Sequence, residues 1–243
     1  MIHAQRVNQS VGELFNNSAH CFDEDYSTNP DKIERYRIWT SHIEKYSRSV
    51  NANNCLDIGC GSGVLSLFTA QLGLEVTGID LADEMLKICE SKKKKLQIKN
   101  VQFTKGNLEE IGEKQFSNFD LIICSSVLEY VNNIDLALES IFNILSDNGF
   151  ALISLPNRSS IFRRYFNLSF RISGRPEYLG YVKHSYSIKG ATEMILNQGF
   201  EIAEAVFYGQ EPFRLASLMR TVCNERFFTN MMLFVLKKPK GSL

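Results

Sequence analysis

A glycine-rich turn follows a short apolar run early in the chain. The run covers residues 55–58, and Gly59, Gly61 and Gly63 then occupy alternate positions. Glycine lets the backbone turn sharply out of a strand, and it lets a ligand approach the main chain without a Cβ in the way. A helix that begins after such a turn points its free amides at the same ligand. The segment therefore predicts a strand, a tight turn and a helix that together bind a ligand.

Apolar runs alternate with helical patterns along the rest of the chain. Runs bounded by turn residues predict five strands, at 55–58, 74–79, 101–104, 119–124 and 150–155. Apolar residues at helical spacing predict helices at 64–72, 83–95 and 134–145. This alternation is typical of a doubly wound, mostly parallel sheet in an α/β protein.

Further segments extend this core at both ends. Helical patterns at 2–17 and 31–47 precede the first strand, and another helix is predicted at 188–198. Apolar runs at 200–208 and 227–236 predict an antiparallel edge hairpin with a long insert. We therefore expect a Rossmann-like, seven-stranded sheet with an antiparallel edge strand, N-terminal helices and an insert after the fifth strand.

The composition limits which partners and which cellular compartment we expect for this protein. Lys plus Arg equal Asp plus Glu at 27 each, so the net charge favours neither nucleic acid nor an anionic membrane. No stretch approaches the ~20 apolar residues that span a bilayer, and the N-terminus has no apolar signal core. The six cysteines include no C-x-x-C pair, which is typical of reduced thiols. We expect a soluble, cytoplasmic protein.

The glycine turn is the first of several motifs that occur in a fixed order. Asp57 precedes the glycines, and a second acidic residue, Asp80, ends the second predicted strand. Val64 stands where a dinucleotide fingerprint has its third glycine, which argues against NAD. The later motifs are GNLE at 106–109, FDLIIC at 119–124 and LEY at 128–130. In this order they resemble the class I S-adenosylmethionine (SAM)-dependent methyltransferase family over roughly residues 50–240.

Within that family the sequence is similar to a small-molecule group that includes the ubiquinone-biosynthesis O-methyltransferases. The shared features are D-x-x-x-x-M-L at 80–86, LEY at 128–130 and PNR at 156–158. Those relatives carry E-x-x-E-H after the fourth strand, a motif associated with a divalent ion. This chain instead has Ser126, Glu129 and Tyr130 there, so we expect no metal in the mechanism.

The resemblance implies SAM as methyl donor and S-adenosylhomocysteine (SAH) as product, with a set of cofactor contacts. Asp80 is expected to bind both ribose hydroxyls, with a helix cap as the alternative. Asn107 is expected at the adenine, with a loop cap as the alternative. Asp57 would order the glycine loop or meet the cofactor's ammonium group through water. The expected cofactor residues are Asp57, Gly59, Gly61, Gly63, Asp80, Leu81, Asn107, Leu108 and Ser125, the last through its backbone carbonyl.

Methyl transfer mainly requires that the nucleophile is held close to the methyl group with water excluded. A base helps where the nucleophile is a hydroxyl or an ammonium group. His184, at the end of the insert, is the candidate base, and the alternative is that it packs against Tyr186. Tyr26 lies in a segment, 21–26, that resembles a mobile lid. Its ring is expected to face the sulfonium, and a plain aromatic anchor is the alternative.

The insert at 157–183 combines aromatic residues with five arginines, namely Arg158, Arg163, Arg164, Arg171 and Arg175. This composition suits an anionic or aromatic small-molecule acceptor, a peripheral membrane contact or a nucleic-acid backbone. The balanced net charge argues against nucleic acid, as does the absence of an Asn/Asp-Pro-Pro-aromatic motif after the fourth strand.

The resemblance thus predicts transfer of a methyl group from SAM to a small molecule, to oxygen before nitrogen or carbon. The alternatives are an RNA or protein methyltransferase that uses the arginine-rich insert, and a catalytically silent, cofactor-binding partner subunit. The expected divisions of a single domain, 1–243, are a helical lid (1–50), a cofactor-binding core (51–155), a substrate cap (156–185) and a C-terminal part (186–243).

Overall fold

A computed structural model describes residues 2–111, 118–210 and 225–241. Its seven strands are β1 (Asn54–Ile58), β2 (Glu75–Asp80), β3 (Val101–Lys105), β4 (Phe119–Cys124), β5 (Leu145–Pro156), β6 (Glu201–Gln210) and β7 (Thr229–Lys237). They form one sheet in the order β3-β2-β1-β4-β5-β7-β6. Neighbours among β1 to β5 pair in parallel, and β7 runs antiparallel to both β5 and β6. The predicted Rossmann-like class is confirmed, and β6 with β7 forms the expected edge hairpin.

Seven α-helices flank the sheet: α1 (Ile2–Thr28), α2 (Pro30–Ser49), α3 (Val64–Gln71), α4 (Asp83–Leu96), α5 (Ile134–Ile144), α6 (Ile161–Ser173) and α7 (Ile188–Asn197). The count refers to the described ranges. α5 shows why the predicted helices form: Asn133 accepts hydrogen bonds from the first free amides, and Ile134, Leu138 and Ile141 lie on one buried face. No helix of these ranges is both long and apolar enough to cross a bilayer.

The N-terminal region differs from its prediction. The sequence predicts a helix at 2–17 and a separate lid segment at 21–26. One continuous helix, α1, covers both, because no glycine or proline interrupts residues 13–29. Asn29 then ends α1 and caps α2, and Pro30 opens α2 at a position where a missing N–H costs nothing. Tyr26 therefore lies on a helix.

The insert after β5 also folds as a helix. Ser160 caps the start of α6 by accepting the N–H of Arg163, and Gly174 ends the helix in a left-handed conformation. A 3₁₀ turn at Glu177–Tyr181 follows it. The insert is thus an ordered element beside the carboxyl end of β5.

Apolar side chains cover both faces of the sheet. Ile141 of α5 and Ile195 of α7 are fully buried on one face, while Trp39 and Ile43 of α2 are fully buried on the other. Each large side chain buried in this way contributes about 1.5–3 kcal/mol. Because β1 lies between β2 and β4, the connections leave it in opposite directions and a crevice opens at the carboxyl ends of these strands.

Candidate functional site

A cavity of about 630 Å³ lies at this crevice. One end is lined by residues at or just after the carboxyl ends of β1, β2 and β3, which we call the glycine-loop end: Asp57, Gly59, Gly61, Asp80, Leu81, Asn107 and Leu108. The other is lined from α1, α2, the loop after β4 and the insert, and we call it the insert end: Tyr26, Lys32, Arg35, Ser125, Glu129, Arg163 and Tyr178. The sheet order separates the two ends, since β3 and β5 lie on opposite sides of β1.

Asp80 joins the end of β2 to the glycine loop. Its Oδ2 accepts the N–H of Gly61 at 2.8 Å, and its Oδ1 accepts the N–H of Ala82 at 2.8 Å, where α4 begins. Burial raises the pKa of the Asp80 carboxyl, and the hydrogen bonds from backbone amides oppose this rise. Asp80 therefore binds an amide at the start of α4, which is close to the helix cap that was its alternative role. It also lines the cavity.

Asp57 is buried beneath the same loop, with 1% of its surface exposed. The Ser66 hydroxyl donates to its Oδ2 at 2.5 Å. Burial raises the pKa of the Asp57 carboxyl to about 7, and the hydrogen bond from Ser66 opposes the rise. This partner lies on α3, so Asp57 fastens the loop to the helix that follows it.

Two of the three glycines are required by close packing as well as by a positive φ. A Cβ on Gly59 would clash with Cγ2 of Val127, and one on Gly63 would lie 2.9 Å from Sγ of Cys89. Their φ angles are +64° and +77°. Gly59 and Gly61 line the cavity, whereas Gly63 does not. The structure thus gives Gly63 a packing role at the start of α3.

Asn107 and Leu108 border the far side of the glycine-loop end. The Asn107 Oδ1 accepts the N–H of Glu109 at 3.2 Å, which is the loop cap foreseen as its alternative role. Its Nδ2 is buried and has no hydrogen-bond partner within the described ranges. Since a buried donor is costly without an acceptor, this amide is available to a ligand.

Arg35 is a central residue of the insert end that sequence reasoning missed. Its Nη2 donates to the Ser125 hydroxyl at 2.6 Å and to the Ser125 carbonyl oxygen at 3.3 Å. Its Nε has no partner in the described part of the chain. One signal could have found it: Arg35 precedes Trp39 and Ile43 at four-residue spacing, so it continues the buried stripe of α2. A charge in such a stripe needs a partner or a ligand.

Glu129 lies opposite Arg35 in the loop after β4, and it is 4% exposed. Its Oε2 has no hydrogen-bond partner among the described residues. Burial raises the pKa of the Glu129 carboxyl to about 7, while a hydrogen bond from its own backbone N–H and the charges of Arg163 and Arg35 act against the rise. The main-chain oxygen of Glu129 accepts the N–H of Lys183 at 2.8 Å and that of His184 at 3.3 Å. The end of the insert thus holds this loop in place.

The turn before α5 is capped by Glu109. Glu109 accepts the N–H of Asn132 at 2.6 Å and its side-chain amide at 2.8 Å. Glu129 is therefore not needed for that turn, and its carboxyl faces the cavity.

The structure does not bring His184 to the cavity. Its Nε2 lies 2.9 Å from the Val131 carbonyl oxygen, and its ring stacks on Tyr186 with centroids 6.4 Å apart. Both contacts fix the ring outside the cavity lining. The packing alternative describes this position, and the geometry gives no support to the predicted base at His184.

Tyr26 does line the cavity, together with a lysine from α2. Its ring packs edge-on against Phe22 at 5.7 Å, and Nζ of Lys32 lies 5.4 Å from the centre of the Tyr26 ring. Burial lowers the pKa of Lys32 to about 7. α1 and α2 therefore close the insert end with an aromatic and basic wall.

The insert, which falls wholly within the described residues 118–210, contributes one of its arginines to the cavity. Arg163 is 6% exposed and lines it, whereas the other four are exposed: Arg158, Arg164, Arg171 and Arg175. No group of three or more His, Cys, Asp or Glu side chains in the described ranges is arranged to hold a metal ion.

Comparisons with known proteins agree with this architecture. A family model described as a methyltransferase domain matches residues 49–205. The ubiquinone biosynthesis O-methyltransferase of Albidiferax ferrireducens is 30% identical over 134 residues, which are 55% of this chain and 50% of the relative. That of Nitrosospira multiformis is 26% identical over 207 residues, which are 82% of this chain and 84% of the relative. The chain thus spans about half the length of the first of these relatives.

A solved structure shows the same fold over almost the whole chain. The magnesium protoporphyrin IX methyltransferase from Synechocystis with bound SAH has a TM-score of 0.72 at 16% identity, over 96% of this chain and 99% of that chain. The domain match covers well over half of the residues, and its range includes the glycine loop, Asp80 and Asn107, which line the cavity. The chain belongs to the class I SAM-dependent methyltransferase family, whose cofactor is SAM.

Proposed function

We propose that this protein transfers a methyl group from SAM to a small-molecule acceptor, with oxygen as the first candidate nucleophile. The observation that carries the proposal is a single cavity, about 630 Å³ in volume, that joins the glycine-loop end to the insert end. This volume falls within the ~300–1,000 Å³ typical of small-molecule sites. An enclosed space that holds both reactants close together speeds their reaction, and it also excludes water.

The residues of the glycine-loop end fit SAM. Each carboxylate oxygen of Asp80 accepts one hydrogen bond from a backbone amide. A second lone pair on each oxygen remains to accept a hydrogen bond from a ribose hydroxyl. The unpaired Nδ2 of Asn107 fits an adenine ring nitrogen, and Leu81 and Leu108 offer apolar surface. When bound, SAM supplies an electrophilic methyl group on its sulfonium.

The residues of the insert end fit an acceptor that is aromatic, anionic or both. Tyr26 and Tyr178 offer ring surfaces, and Arg35 and Arg163 offer fixed positive charges. We further propose that residues 1–50 act as the lid over the core at 51–155, and that 156–185 act as the substrate cap beside the C-terminal part, 186–243. The names of the two relatives support oxygen as the methylated atom.

Calorimetry with SAM and SAH, followed by transfer of labelled methyl groups, tests the proposal. We expect micromolar or tighter binding and label in a small-molecule extract, with none in RNA or protein fractions. A protein that does not bind SAM would overturn the proposal. Label in RNA, weakened by salt and by R164A, would support the RNA alternative, because exposed arginines would then bind phosphates. Cofactor binding without transfer to any fraction would support a silent partner subunit.

A further inference from the structure

Two buried polar atoms at the insert end lack the partner that their chemistry demands. Oε2 of Glu129 accepts no hydrogen bond and Nε of Arg35 donates none within the described ranges, and both residues line the cavity. Leaving such groups unpaired costs about 1–3 kcal/mol each, more where they are charged. The cavity is therefore built for a ligand that offers Glu129 a donor and Arg35 an acceptor.

A hydroxyl group on a conjugated acceptor meets both demands during one reaction. Before transfer, its O–H can donate to Glu129. Once the proton leaves, its oxygen becomes an anion that the guanidinium groups of Arg35 and Arg163 stabilise. An ammonium acceptor would instead bring a third positive charge beside two guanidinium groups that stay protonated. This arrangement favours oxygen over nitrogen.

The thiol and phenol groups that face Glu129 keep their protons near neutral pH. The Lys32 amine of this end, whose pKa burial lowers to about 7, lies over the Phe22 ring, 3.6 Å from its centre. Cys124 of β4, Tyr130 of its own loop and Tyr208 of β6 are buried, and burial raises the pKa of each, so each stays protonated near neutral pH. Arg35 of α2 and Arg163 of α6 are cations that favour the carboxylate form of Glu129. The raised pKa of Glu129, about 7, suits a base that works near neutral pH.

We infer that Glu129 is the catalytic base of the proposed transfer, that Arg35 and Arg163 hold the reacting oxygen, and that the acceptor is a phenol or an enol. The inference rests on the proposed function. The acceptor oxygen gives its proton to Oε2 of Glu129 and forms a bond to the methyl carbon with its electron pair. The pair of the broken carbon–sulfur bond stays on sulfur, and Glu129 later returns the proton to water.

A chromophoric phenol gives a readout that does not depend on turnover. We would titrate 4-nitrophenol, whose ionised form absorbs visible light, into the protein saturated with SAH. Wild type should bind the probe and shift its ionisation to lower pH than in free solution. R163Q should lose part of this shift, because it removes a cation that stabilises the phenolate. E129Q removes a negative charge and should therefore retain the shift, and E139Q should match wild type. Glu139 is an exposed residue of α5, so it controls for the substitution itself.

Methyl transfer from labelled SAM to the same probe then tests the base directly. We expect E129Q to lower the transfer rate by about 10²–10⁴-fold while SAH affinity changes less than about threefold. A wild-type protein that binds SAH but neither binds nor ionises the phenol would overturn this inference and leave the proposed function standing. E129Q that transfers at the wild-type rate would also overturn it. Failure to bind SAH would instead overturn the proposed function.

Discussion

The two ends of the cavity each contain one buried carboxyl group, and the two groups differ in how the chain satisfies them. Burial raises the pKa of both Asp57 and Glu129 to about 7. Asp57 receives the Ser66 hydroxyl at 2.5 Å, whereas Oε2 of Glu129 has no partner in the described residues. The chain thus satisfies the buried carboxyl group of the glycine-loop end, and it leaves one oxygen of the buried carboxyl group of the insert end to a ligand. We therefore expect substitutions at the first to change cofactor binding and those at the second to change transfer.

The largest expected effect is at the glycine-loop end. D80A removes a carboxylate that we expect to bind two ribose hydroxyls, at about 1.5–3 kcal/mol for each charged hydrogen bond. SAM affinity should fall by about 10²–10⁴-fold in calorimetry. The backbone amides of Gly61 and Ala82 also lose their acceptor, so the melting temperature should fall without any ligand.

The neighbouring Asp83 provides a matched control for this prediction. It is exposed on the first turn of α4 and pairs with Lys105 at the surface. D83A should therefore leave SAM affinity within about twofold of wild type, since surface pairs contribute ~0–1 kcal/mol. Equal losses of affinity in D80A and D83A would contradict the ribose assignment.

The glycine-loop end is easier to predict from sequence than the insert end, and the reason is physical. The glycine-loop end depends on contacts within short motifs, so Asp57, Gly59 and Asp80 could be located by their distance from predicted strands. The insert end depends on contacts between distant segments: Arg35 meets Ser125 across 90 residues of sequence. Only the folded chain shows that α2 reaches the loop after β4.

His184 illustrates a further limit of sequence reasoning. Its residue type and its place at the end of the insert suit a base, yet the direction of its ring is decided by stacking on Tyr186 and by the Val131 carbonyl. Glu129 was visible in the LEY motif. Its unpaired oxygen depends on Glu109 taking the cap of the next turn, which the sequence does not show.

The buried Glu129 should give the protein a measurable dependence of stability on pH. Its pKa is about 7 in the folded chain against an ordinary value of 4.5. Between these values the folded chain keeps a proton that the unfolded chain releases, so the free energy of unfolding falls as pH rises through this window. The loss is on the order of 3 kcal/mol.

E129Q should remove this part of the pH dependence in the ligand-free protein. Urea unfolding should be measured at pH 4.5 and pH 8. The free energy of unfolding of E129Q should rise relative to that of wild type at the higher pH. The exposed Glu139 again supplies the control, because E139Q should follow the wild-type curve. Parallel curves for E129Q and wild type would mean that Glu129 titrates normally, which contradicts its burial.

A smaller effect should separate two adjacent arginines of α6. R163Q removes a positive charge that favours the carboxylate form of Glu129, so the pKa of Glu129 should rise further. The acid limb of the transfer rate should then move up by about one pH unit, or ~1.4 kcal/mol. R164Q changes an exposed side chain one residue away and should leave the pH profile unmoved. Identical shifts in both variants would indicate a general effect of surface charge.

The smallest expected effect is at His184, and it tests the boundary of the insert end. H184A removes the stacking on Tyr186 and the hydrogen bond near the Val131 carbonyl, which should cost about 0.5–1.5 kcal/mol of stability. Transfer rate and its pH profile should stay within about twofold of wild type, because the ring lies outside the cavity lining. A rate loss of a hundredfold with unchanged SAM affinity would restore His184 as the base. It would also show that the loop holding Glu129 rearranges when the acceptor binds.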